Sequence, residues 1–147
     1  MPGAAFRLRR VPRVAFFAVL LIVAFPAGAG AASSYFETPS RNIACGWFSG
    51  FGGSLRCEIG SLLRPLPPRP ASCDVDWGYG ISMGRTGRAH VLCAGDTVRR
   101  TGEVAILGYG RTWQRGGFKC TSAKTGLRCV NVSGRGFFLS RERWRIF

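Results

Sequence analysis

Residues 117–147 read GFKCTSAKTGLRCVNVSGRGFFLSRERWRIF, and they carry the pattern that decides the fold. Cys120 and Cys129 lie nine positions apart, and each has an apolar residue two positions before it, Phe118 and Leu127. Because side chains alternate between the two faces of a strand, this spacing predicts two strands with inward-facing cysteines. A Gly-Arg-Gly turn, an apolar run and a tail with arginine at every second position follow. The pattern indicates short strands joined by tight turns.

An earlier stretch repeats the front of this unit. Residues 54–57 and 126–129 share the sequence Leu-Arg-Cys, and each of these cysteines follows another by twelve or nine positions. Two interpretations stay open. The similarity reflects an ancient duplication, or two disulfide hairpins resemble each other because they obey similar constraints.

The chain after residue 31 is predicted to be all-β. Glycine is abundant, with 21 residues, and no long apolar pattern has the helical period. We expect a single domain over residues 32–147, a small disulfide-stapled sandwich or barrel-like domain of short antiparallel strands. The predicted strands are Asn42 to Trp47, Leu55 to Ile59, Cys73 to Tyr79, Ala89 to Cys93, Glu103 to Leu107, Arg111 to Gln114, Phe118 to Cys120 and Leu127 to Asn131.

The remaining stretches are assigned to connections. Residues 49–54 are expected to form a hairpin loop and residues 121–126 a polar loop. Residues 64–70 contain four prolines and are predicted to be an extended linker, because proline fixes its backbone and donates no hydrogen bond. The glycines expected to link the third and fourth predicted strands are Gly78, Gly80, Gly84 and Gly87.

Residues 1–31 are predicted to be a secretory signal peptide. Four arginines precede an unbroken apolar run over residues 14–25, and small residues then offer a cleavage site between Ala31 and Ala32. A run of twelve is too short for a bilayer core, which takes about 20 apolar residues. We therefore expect export to the periplasm or the cell exterior, with no stable membrane anchor after cleavage.

All six cysteines follow residue 31, and an even count in a small exported chain predicts disulfides. Local hairpins favour the sequential pairing Cys45–Cys57, Cys73–Cys93 and Cys120–Cys129. Each bond is expected to contribute about 3 kcal/mol, mainly by restricting the unfolded chain. The chain has no C-x-x-C motif and a single histidine, so we expect no metal site and no cofactor.

The charge is strongly positive. Without residues 1–31 the chain has 17 basic and 7 acidic residues, and all but two of the basic residues are arginine. Such charge favours polyanionic partners, namely lipopolysaccharide, nucleic acid or acidic glycans, and the arginine fork suits phosphate. The alternative is an arginine bias of a GC-rich genome, in which case the charge only maintains solubility.

Three motifs resemble a family of small exported bacterial proteins stapled by disulfides. They are Pro-Ser-x-Asn-Ile-x-Cys at residues 39–45, Gly-Leu-x-Cys-x-Asn at residues 126–131 and Gly-x-Gly-Phe-x-Leu-Ser-Arg at residues 134–141. The family is a domain of unknown function. The resemblance implies export and a disulfide-stapled domain, and it brings no activity, cofactor or catalytic residue. Members of that family often carry histidine in the Gly-x-Gly-Phe turn, where this chain has Arg135.

The tail is the predicted binding site. In an extended tail Arg141, Arg143 and Arg145 share one face, and Glu142, Trp144 and Ile146 share the other. A cationic row beside aromatic residues suits a phosphate backbone or an anionic lipid. In the alternative, the arginines only protect an edge strand from aggregation. The predicted binding residues are Arg135, Arg141, Arg143, Trp144 and Arg145.

Candidate catalytic residues are few. His90 is the only histidine, and with Glu58 as partner acid or base it suggests a small secreted ribonuclease, although no spacing motif connects the two. Asp74 and Asp76 are expected to lie on one strand face as an acidic surface pair. The leading expectation is a non-enzymatic binding or structural module that contacts envelope glycolipid or nucleic acid. The alternatives are a hydrolase or nuclease using His90, and a protein inhibitor of another enzyme.

Overall fold

A computed structural model describes residues 30–147, together with Met1 and Gly3. Most of the predicted signal peptide therefore lies outside the described residues. The described part contains eleven β-strands, one 3-10 turn at Gly50–Gly52 and no α-helix. The strands are β1 Ser33–Glu37, β2 Ile43–Phe48, β3 Ser54–Ile59, β4 Trp77–Gly84, β5 His90–Cys93, β6 Ala105–Ile106, β7 Thr112–Arg115, β8 Phe118–Ala123, β9 Gly126–Val130, β10 Gly136–Leu139 and β11 Trp144–Ile146.

The strands form two sheets that pack as a sandwich. The first sheet has the order β5-β4-β3-β2-β1-β6, and the second has the order β11-β10-β9-β8-β7. Neighbouring strands are antiparallel except β1 and β6, which are parallel. The predicted all-β, sandwich-like fold is confirmed, with one parallel pair that the sequence did not predict.

The core lies between the sheets and follows from the alternation of side chains. In the central strands, Leu55 and Cys57 of β3 and Leu127 and Cys129 of β9 are completely buried. The rings of Phe36 and Trp113 meet across the sandwich with centroids 4.9 Å apart. Every second residue of these strands therefore faces the core, and the residues between them form two outer faces.

The disulfide bonds join the predicted pairs. Cys45–Cys57 and Cys120–Cys129 each bridge directly opposite residues of neighbouring strands, with Cα atoms 4.1 Å apart. Cys73–Cys93 differs, because Cys73 lies in a loop before β4 and Cys93 is exposed at the end of β5. The predicted strand Cys73 to Tyr79 therefore begins too early, and Cys73 reaches Cys93 from a loop. Three disulfides indicate an oxidising environment.

Two predicted boundaries are wrong for physical reasons. β4 runs through Gly78, Gly80 and Gly84, which were expected in a connection, while Asp74 and Asp76 precede it in a loop and do not share a strand face. This strand position requires glycine, because a Cβ at residue 80 would lie 2.2 Å from the Cys57 carbonyl oxygen. Similarly, β8 continues to Ala123 and β9 begins at Gly126, so the expected polar loop is only a two-residue turn.

The weak sequence repeat corresponds to a three-stranded unit that occurs once in each sheet. β2, β3 and β4 form the first unit, and β8, β9 and β10 form the second. Cys57 is opposite Cys45 and Ile81 in the first unit, just as Cys129 is opposite Cys120 and Phe137 in the second. The other equivalent pairs are Leu55–Met83 with Leu127–Leu139, Arg56–Ser82 with Arg128–Phe138, and Glu58–Gly80 with Val130–Gly136. The repeat thus extends into a third strand, where residues 78–83 and 134–139 share the pattern Gly-x-Gly-apolar-x-apolar.

Residues 94–104, here called the strap, leave β5 and cross the outer face of the first sheet to reach β6. Val98 packs on Gly46, where an added Cβ would lie 3.1 Å from the Val98 Cγ1. The guanidinium of Arg100 lies 5.0 Å from the centre of the Tyr35 ring. The strap consequently covers the outer face of the first sheet over β1, β2 and β3.

The proline-rich linker is fixed at two points on the molecule. The indole of Trp77 donates a hydrogen bond to the Pro67 carbonyl at 2.9 Å, and the indole of Trp144 donates one to the Pro65 carbonyl at 2.8 Å. The linker therefore joins the β4 side of the first sheet to the β11 side of the second.

Candidate functional site

The outer face of the second sheet is open, and it carries a row of basic and aromatic side chains. Arg128 of β9 lies opposite Phe138 of β10, which in turn lies opposite Arg145 of β11. Opposite residues of antiparallel strands point to the same side, so these three stand together on the outer face. The surface that we call the arginine face consists of Lys119, Arg128, Phe138, Arg143, Arg145 and Phe147.

Each arginine of this face stacks on a phenylalanine ring. The guanidinium carbons of Arg128 and Arg145 lie 4.6 Å and 5.3 Å from the centre of the Phe147 ring, and that of Arg143 lies 5.4 Å from the centre of Phe138. Such contacts contribute about 0.5–1 kcal/mol each at exposed sites. They hold the planar guanidinium groups against the sheet while their N–H groups remain available to a ligand.

The positive charge is concentrated on this half of the molecule. Residues 107–147 contain nine basic residues and a single acidic residue, Glu142, whereas residues 32–106 contain eight basic and six acidic residues. The ion pairs found within the described residues involve Arg41 and Arg56, both on the first sheet's side. The arginine face thus carries its charge without neutralising partners in the described structure.

A polar groove adjoins one end of the arginine face. It has a volume of about 350 Å³ and forms where the turns after β1, β8 and β10 meet. Its cations are Lys124, Arg141 and Arg143, and its lining also includes the carboxylate of Glu142 and hydroxyl groups of the three turns. Arg143 belongs to both surfaces, so one extended anion can contact the groove and the arginine face together.

The equivalent position on the first sheet is neutralised. Arg56 occupies the place in the first unit that Arg128 occupies in the second, and it forms ion pairs with Glu58 at 2.5 Å and with Asp96 at 2.7 Å. The hydrogen bond and the positive charge of Arg56 lower the pKa of Asp96 below its usual value. The second unit has Val130 at the position that Glu58 holds in the first unit. Within the described residues, no segment equivalent to the strap crosses the outer face of the second unit.

The predicted tail residues are only partly brought together. Arg143 and Arg145 lie side by side on the arginine face, as an extended tail predicts, but β11 begins at Trp144 and Arg141 lies in the hairpin turn at the groove. Trp144 is half-buried against the core and Arg135 sits in the β9–β10 turn at the opposite end of the sheet. Trp144 therefore does not contribute an aromatic surface to the arginine face.

His90 and Glu58 both lie on the covered side of the first sheet, but they are not neighbours. His90 is opposite Ser82 on β4, whereas Glu58 is opposite Gly80, and β4 separates the two strands. Glu58 is buried, and its carboxylate accepts hydrogen bonds from the Thr97 hydroxyl at 2.5 Å and the Val98 N–H at 2.9 Å. These hydrogen bonds hold the Glu58 carboxylate against the strap, so its role in the fold is structural.

Sequence reasoning missed Arg128, Phe138 and Phe147. The alternation of Leu127, Arg128 and Cys129 already places Arg128 on the outer face, so the signal for this residue was present. The neighbours of Arg128 depend on the register between β9, β10 and β11. The sequence of one strand does not predict that register.

Nowhere in the described part of the chain does a helix reach the length and hydropathy needed to span a membrane. Within the same residues, no three His, Cys, Asp or Glu side chains come together as metal ligands.

Comparison with known proteins places the chain in a family. No curated protein and no solved structure matches it. A family model described as a family of unknown function, DUF6636, matches residues 15–147 and so includes all six cysteines and the arginine face. The predicted resemblance to an uncharacterised family is confirmed, and the chain belongs to the DUF6636 family of unknown function.

Proposed function

We propose that the protein is an exported, non-enzymatic binding module whose arginine face holds a phosphate-bearing polyanion, with an envelope glycolipid such as lipopolysaccharide as the partner. One observation carries the proposal. Arg128 holds the same position in the second unit as the ion-paired Arg56 in the first, yet it has no acidic partner and no strap over it. The outer face of the three-stranded unit is thus covered by the strap in the first sheet and exposed in the second.

The arrangement of the arginines favours an extended anion. Arg128 and Arg145 stand on strands separated by β10, so their backbones are about 10 Å apart. Both guanidinium carbons lie within 5.3 Å of the centre of the Phe147 ring, and a molecule with several phosphates contacts both arginines together with the groove beyond them. Guanidinium groups bind phosphate through two parallel hydrogen bonds, which a lysine-rich surface does not offer.

The aromatic residues favour a glycolipid over single-stranded nucleic acid. Nucleic-acid bases stack on open aromatic rings. Phe138 and Phe147 are half-buried, and guanidinium groups lie over both rings. The face therefore offers phosphate contacts and few bare rings. Export, which the disulfides support, also brings the protein to envelope glycolipids.

The two other function classes have less support. A hydrolase using His90 lacks a partner acid, because Glu58 is engaged beneath the strap. An inhibitor of another enzyme fits the small disulfide-stapled fold, but no contact in the described structure selects it over polyanion binding.

Fluorescence anisotropy of labelled lipopolysaccharide and of labelled single-stranded RNA across a salt series tests the proposal. The variant Arg128→Gln/Arg143→Gln/Arg145→Gln is compared with Arg41→Gln/Arg69→Gln/Arg100→Gln, which removes the same charge from the first sheet's side. We expect only the first variant to lose lipopolysaccharide affinity strongly. In the RNA series its slope of log affinity against log salt is expected to fall by about 2, at roughly 0.7 for each lost phosphate contact.

Equal losses in the two variants would show that net charge, and not the arginine face, determines binding. Tighter binding of RNA than of lipopolysaccharide would reassign the partner to nucleic acid. RNA cleavage that disappears in His90→Ala would replace the binding module with the nuclease.

A further inference from the structure

Four hairpin tips meet at the end of the sandwich opposite the polar groove. They are residues 49–53, 85–89, 115–117 and 131–135, here called the tip end. Arg85 donates a hydrogen bond to the Gly116 carbonyl at 3.4 Å. The Asn131 amide donates to the carbonyls of Gly84 at 3.1 Å and Gly87 at 2.9 Å. An added Cβ at Gly53 would lie 3.9 Å from the Phe118 ring, so the tips form one continuous surface.

Phe51 projects from this surface and is fully exposed within residues 30–147. Its relative exposure is 111%, the highest among the large apolar residues after Met1, and it stands between glycines at the tip of the β2–β3 hairpin. Its φ of 53° lies in the left-handed region, which is uncommon for a bulky side chain and costs free energy. Val132, on a neighbouring tip, is also exposed. The tip end thus exposes two apolar side chains to solvent.

The charge around Phe51 has one sign. The four tips contain Arg85, Arg88, Arg115 and Arg135, and they contain no aspartate or glutamate. An apolar side chain surrounded by cations suits the boundary of an anionic membrane, where apolar groups enter the acyl region and cations meet phosphate headgroups.

The chain also enters the domain at this end. Ala32 donates a backbone hydrogen bond to the Ser49 hydroxyl at 2.7 Å and accepts one from the Ser49 N–H at 2.9 Å. The residues that precede β1 therefore join the sandwich beside the Phe51 hairpin.

We propose that the tip end docks on an anionic lipid bilayer, with Phe51 inserted at the boundary between headgroups and acyl chains and the four tip arginines bound to lipid phosphates. The charge complementarity of the tip arginines and the exposed Phe51 select an anionic membrane as the occupant. This surface is separate from the arginine face, so the inference goes beyond the proposed function and does not rest on it.

Sedimentation with vesicles of phosphatidylglycerol and phosphatidylcholine, compared with pure phosphatidylcholine, tests docking of the oxidised protein without residues 1–31. Phe51→Ser is expected to lower the partition into anionic vesicles on the order of tenfold. Tyr109→Ser, which removes an exposed aromatic residue at the groove end, is the matched control and is expected to bind as the parent does. Equal binding of Phe51→Ser and the parent would overturn the proposal.

The arginines are tested in the same assay. Arg88→Gln/Arg135→Gln is expected to weaken vesicle binding about fivefold for each arginine, since each cation near an anionic surface contributes by that factor. Arg41→Gln/Arg64→Gln is the charge-matched control from outside the tip end. Equal weakening in both variants would contradict docking through this end.

Insertion itself is tested with Phe51→Trp and lipids brominated in their acyl chains. We expect quenching beyond that of the parent's own tryptophans, and quenching equal to the parent's would overturn insertion. The tip-end variants are expected to bind labelled lipopolysaccharide in the anisotropy assay through the arginine face, whereas Arg128→Gln/Arg143→Gln/Arg145→Gln is expected to keep vesicle insertion. Failure of one proposal is therefore distinguishable from failure of the other.

Discussion

Glu58 is the residue that ties the strap to the first sheet. Its carboxylate is buried, pairs with Arg56 and accepts hydrogen bonds from the Thr97 hydroxyl and the Val98 N–H. A buried charge is tolerated only when it is paired and hydrogen-bonded, and these three contacts meet that condition. Glu58 thus stabilises the covering of one sheet, which leaves the other as the open face.

The substitution Glu58→Gln tests this anchoring role. It keeps the size of the side chain but leaves Arg56 without one of its two carboxylates, so we expect a loss of about 2 kcal/mol in the free energy of unfolding. Denaturant titration measures it. Glu103→Gln, on the exposed part of the strap, is the control and should stay within about 0.5 kcal/mol of the parent. A Glu58→Gln protein as stable as the parent would mean that the strap does not depend on this contact.

The outward direction of individual side chains was readable from the sequence, but their partners were not. Alternation places Arg128 on an outer face and Leu127 in the core, and the structure agrees. Besides Arg56, the partners of Glu58 come from the strap, 39 and 40 positions away. No local pattern encodes that contact, and so the sequence suggested an acid or base where the structure has an anchor.

At the scale of elements, the repeated unit explains why glycine occurs inside strands. Gly80 and Gly136 hold equivalent positions next to the disulfide cysteine of the neighbouring strand. A Cβ would lie 2.2 Å from the Cys57 carbonyl oxygen in the first unit and 2.0 Å from the Cys129 carbonyl oxygen in the second. A glycine in a sequence usually indicates a turn, which is why β4 was predicted to end too early.

Alanine at either position is therefore expected to force the central strands apart. We expect Gly80→Ala and Gly136→Ala each to lose about 2 kcal/mol, in the range of overpacking. For a domain of this size that loss lowers the melting temperature by about 10 °C. Thermal unfolding followed by circular dichroism measures it.

Gly50→Ala is the matched control, because no atom lies within 4 Å of an added Cβ there and φ is not positive. Unequal effects at Gly80 and Gly136, with one close to the control, would argue against equivalent packing in the two units.

Across the whole domain, the three disulfides differ in their exposure to solvent. Cys45–Cys57 and Cys120–Cys129 lie in the core with almost no exposure, whereas Cys93 of the third bond is exposed. Because thiol–disulfide exchange needs access to a sulfur atom, we expect limiting reductant to open Cys73–Cys93 first. Alkylation and peptide mass mapping over time measure the order.

Loss of this bond is expected to lower stability by about 3 kcal/mol, and binding at the arginine face should persist because the second sheet does not contain it. Earlier opening of a core disulfide would show that the two cysteine-centred hairpins unfold locally before the outer bond is attacked.

The overall architecture was predictable to the extent that it rests on local patterns. Strand alternation, glycine-rich turns and cysteine spacing gave the all-β class and the disulfide pairs. The division into two sheets, the strap and the parallel pairing of β6 depend on contacts between distant residues. The open face follows from that division, because the sequence shows nine basic residues after residue 106 but not which of them lie together on the outer face of a sheet.

The pairing of β1 with β6 also bears on the order of folding. Phe36 pairs with Ala105 and Glu37 with Ile106, so the outer edge of β1 receives its neighbour only after every other strand of the first sheet has been made. A chain that emerges amino end first therefore keeps an unpaired edge, and such edges are templates for aggregation. Once the strap has crossed, the sheet ends in a two-residue strand that is too short to recruit another chain. Pairing of β6 with β1 therefore closes an edge that the growing chain leaves open until residue 106 has been made.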